Sequence, residues 1–267
     1  MSTREVIAVA VIAVIAVLAI SYVVDSHDQH EEPEITDSIG IIGATSEEVT
    51  LIKESMNIEY TKNYAGMKYF VGTIGDKNVV VVQCGMGKVN AGVCAEVLIS
   101  HFQVSKIINT GVAGSLSKDL HVGDVVVSTD AVQHDYDLTP IGYPKGEIPD
   151  TGRYAFEADK ELRESAMRII KNIDPELNVM EGRICSGDQF ISSVADRETI
   201  TNNFGGLCCE MEGGAIAHVC YLNDTPFIII RAISDNADGT GGDEYLKNKD
   251  VIAERSASIV WTFVEEL

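Results

Sequence analysis

Five stretches of this 267-residue chain place proton-transferring or hydroxyl-binding side chains directly after short apolar runs. Ala44-Thr45-Ser46-Glu47-Glu48 follows SIGIIG, Thr110-Gly111-Val112-Ala113-Gly114 follows KIIN, and Ser186-Gly187-Asp188-Gln189-Phe190-Ile191 follows RIC. Glu210-Met211-Glu212-Gly213-Gly214 follows LCC, and Ile233-Ser234-Asp235-Asn236 follows IIIRA. Carboxylates in different surroundings can divide the work of acid, base and hydroxyl acceptor, and glycine-flanked amides add fixed donors. Asp235, on a loop after an apolar run, suits a general acid, because burial raises a carboxyl pKa and lets it carry a proton. Its competing reading is an N-cap of the turn that follows.

These groups meet only if the apolar runs are neighbouring strands. Continuous Val/Ile runs read as strands covered on both faces. Strands are expected over 38–43, 68–74, 78–85, 106–114, 124–132, 179–188, 207–211 and 226–235. Helices are expected from Glu47, over 90–101, 159–173, 195–203 and 215–221, and in a closing segment to Leu267. The alternation predicts an α/β domain of three layers, α/β/α, around a central mixed, mostly parallel sheet. Ligands on such sheets bind outside the carboxyl ends of the strands, so three carboxylates, an aromatic ring and several backbone amides are expected on one rim.

Taken together, GIIGA with Glu47-Glu48-Val49, TGxAG at 110–114, SGDQFI at 186–191, EMEGGAIAHVC at 210–220 and RAISDNAD at 231–238 resemble the 5'-methylthioadenosine/S-adenosylhomocysteine nucleosidases, a branch of the purine nucleoside phosphorylase superfamily. The likeness covers nearly all of residues 38–267, in the same order. It implies a nucleoside phosphorylase-like fold, hydrolysis of the N-glycosidic bond of adenine thionucleosides, a homodimer, and no metal or organic cofactor.

Breaking a ribosyl–adenine bond leaves an oxocarbenium-like sugar and an adenine anion. An acid must therefore protonate the base, a carboxylate must handle the attacking water, and the hydroxyls need anchoring. The resemblance implies that Asp235 protonates adenine N7 and that Glu48 activates the water, with Arg231 helping to hold that water. It implies that Glu212 grips the 2'- and 3'-hydroxyls with Met211 beside the sugar, that Phe190 stacks on adenine, and that the backbone of Ile191 reads the adenine edge. Leu138, Ile141, Tyr143 and Pro149 match the stretch that closes the alkylthio pocket of a neighbouring subunit.

Plainer roles compete with these. Thr45-x-x-Glu48 is a capping-box spacing, Glu212 suits the first turn of a helix, a buried Arg231 suits a structural ion pair, and a lone aromatic such as Phe190 suits the core. Strand alternation sends Glu210 to the opposite side from Met211. Val112 stands where the family often has serine. The loop Gly239-Thr240-Gly241-Gly242 is shorter than usual and lacks an aromatic residue, so a more open 5' pocket is expected.

Charge narrows the function further. The net charge of −21 repels a nucleic-acid backbone. A purine nucleoside phosphorylase on the same fold needs convergent cations for phosphate, yet no arginine occurs between Ser38 and Asp150, and Glu47-Glu48 occupies the loop where phosphate would sit. A third reading is an exported nucleoside-binding protein without turnover. The set Glu48, Glu212 and Asp235 argues against it, because buried acids cost stability that pure binding gives no reason to spend.

Mean hydropathy is +0.08 despite this acidity, because apolar residues concentrate at the start. Val6 to Val24 is a run of 19 residues without a charge, close to the length that spans a bilayer core of about 30 Å. Arg4 precedes it, while Asp25, Asp28, Glu31, Glu32, Glu34 and Asp37 follow it with no basic residue among them, which places the rest of the chain outside the cytoplasm. Residues 1–24 are thus expected to be an N-terminal membrane anchor or signal peptide, the length favouring the anchor. Residues 25–37 form an acidic linker and 38–267 the nucleosidase domain, extracytoplasmic and either membrane-anchored or secreted. Six cysteines without CxxC spacing read as buried free thiols, and His121, His134 and His218, without paired ligands at metal spacing, as structural.

Overall fold

In chain order the computed structural model contains β1 (Ile39–Gly43), α1 (Ser46–Ser55), β2 (Asn57–Tyr64), β3 (Met67–Ile74), β4 (Lys77–Gln83), α2 (Lys88–Ser100), β5 (Lys106–Ser115) and β6 (Val125–Gln133). A short 3-10 turn (Thr139–Ile141) precedes β7 (Ala155–Glu157), α3 (Lys160–Ile173), β8 (Val179–Ser186), α4 (Val194–Phe204), β9 (Cys208–Glu210), α5 (Gly213–Leu222), β10 (Phe227–Asp235) and α6 (Gly241–Glu265). The structure describes residues 37–237 and 241–267. The expected anchor over 1–24, the linker as far as Thr36, and Gly239 and Thr240 of the short loop lie outside the described residues. Among the described residues no helix is long and apolar enough to cross a membrane.

The apolar runs are strands covered on both faces. All nine residues of β10 and all five of β1 are buried. Ile39 and Ile41 point into a cluster with Val49 and Ile52 of α1, Leu162 and Ile169 of α3, and Val260 and Phe263 of α6. Gly40, between them, faces Leu98 of α2 on the other side, as the period of two along a strand requires. Helix α2 packs there with α5, which completes the three layers. Helix α3 shows the pattern at its clearest: Leu162, Ala166, Ile169 and Ile170 are buried, and Asp159 caps its start by accepting from Leu162 N at 2.9 Å.

The sheet is mixed. β1 pairs in parallel with β4 and β5, β5 with β10, β6 with β8, and β8 with β9. The pairings β2–β3, β3–β4, β5–β9, β6–β7 and β6–β10 are antiparallel. Ten-residue β5 is a branch point: its start lies between β1 and β10, and its end turns to pair with β9 through Gly114 and Ser115. The strands β5, β10, β6, β8 and β9 therefore close on themselves, while β1, β4, β3 and β2 extend as an open flank. Closure draws the ends of β5, β8, β9 and β10 around one point. Strand β2 has no apolar run to announce it: NIEYTKNY is mostly exposed and, among the described residues, pairs only with β3, as suits a polar edge.

Candidate active site

One cavity opens at the carboxyl ends of these strands, and its walls include Glu48, Glu210, Glu212 and Asp235. Three helix N-termini supply donors to the first three. The Glu48 carboxylate, in the first turn of α1, accepts from Ala44 N at 2.6 Å, Thr45 N at 2.9 Å and Val112 N at 3.1 Å. The capping-box contact read from the sequence is thus present, and the same carboxylate lines the cavity. Glu212, at the start of α5, accepts from Gly87 N at 2.9 Å, just ahead of α2. Glu210 accepts from Glu212 N at 3.1 Å and Gly213 N at 2.7 Å. The positive end of a helix dipole suits each of these anions.

Burial acts the other way. It pushes the Glu48 carboxyl above its ordinary value, against the pull of Arg231 and three backbone amides. Burial and the neighbouring Glu210 push Glu212 up to about 7, against Arg231 and the Gly87 amide. Arg231 is fully buried in β10. Its Nη2 meets Glu210 Oε2 and donates to Asn109 Oδ1 at 2.6 Å, its Nη1 donates to Thr110 O at 2.9 Å, and Glu212 Oε2 lies 3.6 Å away. The structure thus gives Arg231 the ion-pair position that competed with its water-holding role, while its Nε, buried, has no hydrogen-bond partner among the described residues. It is the counter-ion that lets several carboxylates gather in one buried place.

The two glycines of the TGxAG turn make room for acids. A Cβ on Gly111 would overlap Arg231 Nη1 and stand 2.6 Å from Glu48 Oε1, and one on Gly114 would stand 3.0 Å from Asp235 Oδ1. Asp235 is buried at the end of β10, next to a register shift against β5. It accepts from Ser234 Oγ at 2.9 Å and Ala237 N at 3.1 Å. The turn contact that competed with its catalytic reading is therefore present, on a carboxylate that lines the cavity.

Met211, Phe190 and Ile191 also line the cavity, with Phe190 half exposed and Ile191 buried. Leu138, Ile141, Tyr143 and Pro149 do not: Ile141 is 70% exposed and Tyr143 39% exposed, away from the cavity of their own chain. Sequence reasoning missed Met86, Gly87, Glu210 and Tyr245. The CGMG turn after β4 carried a signal, since it follows Val79–Val82 as the other site loops follow their runs. Glu210 was set aside by strand alternation, but β9 stops at Glu210, so Glu210, Met211 and Glu212 all reach the cavity. Tyr245 lies in the first turns of α6, its ring 5.4 Å from that of Phe190 in an edge-on arrangement. It bounds the cavity.

Known proteins share this architecture. The phosphorylase superfamily pattern matches residues 38–265. The 5'-methylthioadenosine/S-adenosylhomocysteine nucleosidase of Staphylococcus aureus (strain JH9) is 39% identical over 230 residues, 86% of this chain and 100% of the relative. The Neisseria meningitidis nucleosidase of that name, solved in complex with methylthio-immucillin-A, superposes with a TM-score of 0.83 at 36% identity, covering 86% of this chain and 100% of that one. Futalosine hydrolase of Helicobacter pylori strain 26695 superposes with a TM-score of 0.82 at 34% identity, covering 86% and 98%.

Proposed function

We propose that this chain, which belongs to the 5'-methylthioadenosine/S-adenosylhomocysteine nucleosidases of the phosphorylase superfamily, hydrolyses the N-glycosidic bond of both nucleosides and releases adenine and the thioribose product. The observation that carries this reading is the cavity wall: four carboxylates and an aromatic pair, with no lysine or arginine among the described lining residues. Cations nearby are paired with acids: Arg231 with Glu210, Lys249 with Glu47 at 2.8 Å and Lys88 with Asp135 at 2.5 Å. Nothing there attracts phosphate, so water is the acceptor.

In this reading Asp235 gives its proton to adenine N7 as the C1'–N9 bond breaks and its electrons pass into the purine. Glu48 takes a proton from the water whose oxygen joins C1', and its raised pKa suits it to hold that proton. Glu212 accepts from the vicinal hydroxyls, Met211 lies beside the sugar, Phe190 stacks on the base, the Ile191 backbone reads the adenine edge, and Tyr245 faces the 5' group. Arg231 acts on Glu48 through space, lowering the cost of its ionised form.

A homodimer fits the exposed apolar residues. Met86, Val89 and Val93 project from the turn before α2 and from its first turns, and Ile141 and Tyr143 from the 3-10 segment and the residues just after it. A second copy covering them would bring the 138–149 stretch over the neighbouring cavity, the role the resemblance assigns to it. The Val6–Val24 run and the acids behind it support a membrane anchor with the enzyme outside the cytoplasm.

Adenine release from methylthioadenosine tests the reaction. It is expected at a rate independent of phosphate, yielding the free sugar, and reduced about 10²- to 10⁴-fold in Asp235→Asn. A phosphate-dependent rate would identify a phosphorylase, and tight binding without release would identify a binding protein.

A further inference from the structure

We infer that Lys88, Asp135 and Asp188 form a closed clasp that holds Glu212 and Phe190 at the separation one nucleoside requires, and that they are positioning residues for the hydrolysis proposed above. Lys88 N donates to Asp188 Oδ1 at 2.8 Å, Asp188 N donates to Asp135 Oδ2 at 2.9 Å, and Lys88 Nζ donates to Asp135 Oδ1 at 2.5 Å. The three contacts form a ring. Lys88 opens α2 after β4, while Asp135 and Asp188 lie in the loops after β6 and β8, so the ring ties together three segments that follow different strand ends.

Two features show where the ring acts. Helix α2 has glycine at its N-cap, no side-chain cap of its own and no acid in its first turn. Asp188, 100 residues further along the chain, supplies the missing acceptor. The preceding amide, Gly87 N, is the one that donates to Glu212, so fixing the start of α2 fixes the proposed sugar-binding carboxylate. On its other side Asp188 is two residues from Phe190, in the loop that forms the proposed base-binding wall.

The loops also meet too closely to slide. A Cβ on Gly187 would stand 2.5 Å from His134 Nε2 and 3.1 Å from Asp135 Cγ, and one on Gly87 would stand 3.1 Å from Asp188 Oδ1. Lys88 Nζ adds a contact to Gln133 Oε1 at 3.2 Å. Burial raises the Asp135 carboxyl, but its Lys88 and Asp188 donors outweigh burial and hold it below the ordinary value. None of the three residues lines the cavity. They act through what they hold.

The test compares a ligand that spans both walls with one that touches a single wall. In Lys88→Met, KM for methylthioadenosine is expected to rise about tenfold, while inhibition by free adenine changes less than twofold. In a Glu212→Gln background the same substitution is expected to cost less than twofold, since the carboxylate it positions is gone. Lys88→Arg, which keeps a cation for Asp135, recovers most of the loss. Equal weakening of nucleoside and adenine, or costs that multiply independently in the double variant, would overturn the clasp. Should Lys88→Met fail to fold, Asp188→Ala, on an exposed residue, is read in the same way. A wild type without turnover refutes the hydrolase reading instead, and calorimetric affinities for the same two ligands then decide the clasp.

Discussion

Gly111 keeps Glu48 and Arg231 apart by no more than bare backbone: a Cβ there would stand 2.6 Å from Glu48 Oε1 and overlap the guanidinium on its other side. Gly111→Ala must therefore displace the proposed base, its counter-ion or both. Overpacking of this kind costs about 1–3 kcal/mol. The variant is expected to fold with a lower Tm and to lose at least about tenfold in kcat, with KM less affected because Glu212, proposed to bind the hydroxyls, is not among the atoms a Cβ at Gly111 would meet. Steady-state kinetics beside a thermal melt check this. A variant with wild-type kcat would show that the spacing of Glu48 and Arg231 does not matter to turnover.

Glu212 predicts a pH dependence whose sign is opposite to that of a salt-bridged surface acid. Burial and Glu210 raise its pKa from 4.5 to about 7. The folded state then binds more protons than the unfolded chain between those values. Its contribution to stability is fully present below about 4.5 and is lost as pH rises through about 7. Glu48 is raised by the same cause and shifts stability in the same direction. The ligand-free protein is expected to lose on the order of 1 kcal/mol or more across that window through Glu212, and Glu212→Gln to flatten the slope. Melts at pH 5, 6 and 7.5 on both proteins measure it. An equal slope in both would remove Glu212 as the source.

The candidate site was legible in the sequence where an acid follows a buried strand. Glu48, Glu212 and Asp235 line one cavity, and they were picked out because the Val/Ile runs before them mark strand ends, which converge on such sheets. What escaped has physical reasons. Strand β2 is a polar edge and buries too little to show an apolar pattern. Closure of β5, β10, β6, β8 and β9 depends on the end of β5, which pairs with β1 over Lys106–Asn109 but with β9 at Gly114 and Ser115 while keeping β10 beside it, and no local residue pattern signals such a switch. Glu210 was misplaced because alternation was extended past the last residue of β9. The clasp is built from contacts spanning 47 to 100 residues, which no spacing rule can see.

Tyr245 was hidden for a further reason: it falls inside the acidic first turns of a long helix, where an aromatic reads as part of an amphipathic face. In the structure its ring is set edge-on to Phe190 at 5.4 Å and lines the cavity. Such a pair contributes about 0.5–1.5 kcal/mol beyond its buried area. A ring with a hydroxyl edge can meet both the apolar methylthio group and the polar end of a homocysteinyl chain. The wild type is therefore expected to turn over methylthioadenosine and adenosylhomocysteine with kcat/KM values within about tenfold of each other. Tyr245→Ala removes the apolar contact on which the small 5' group depends more heavily, and its kcat/KM ratio should move toward adenosylhomocysteine by about fivefold or more. Competition between the two substrates in one reaction reads the ratio directly. A shift toward methylthioadenosine would place Tyr245 on the homocysteinyl side instead.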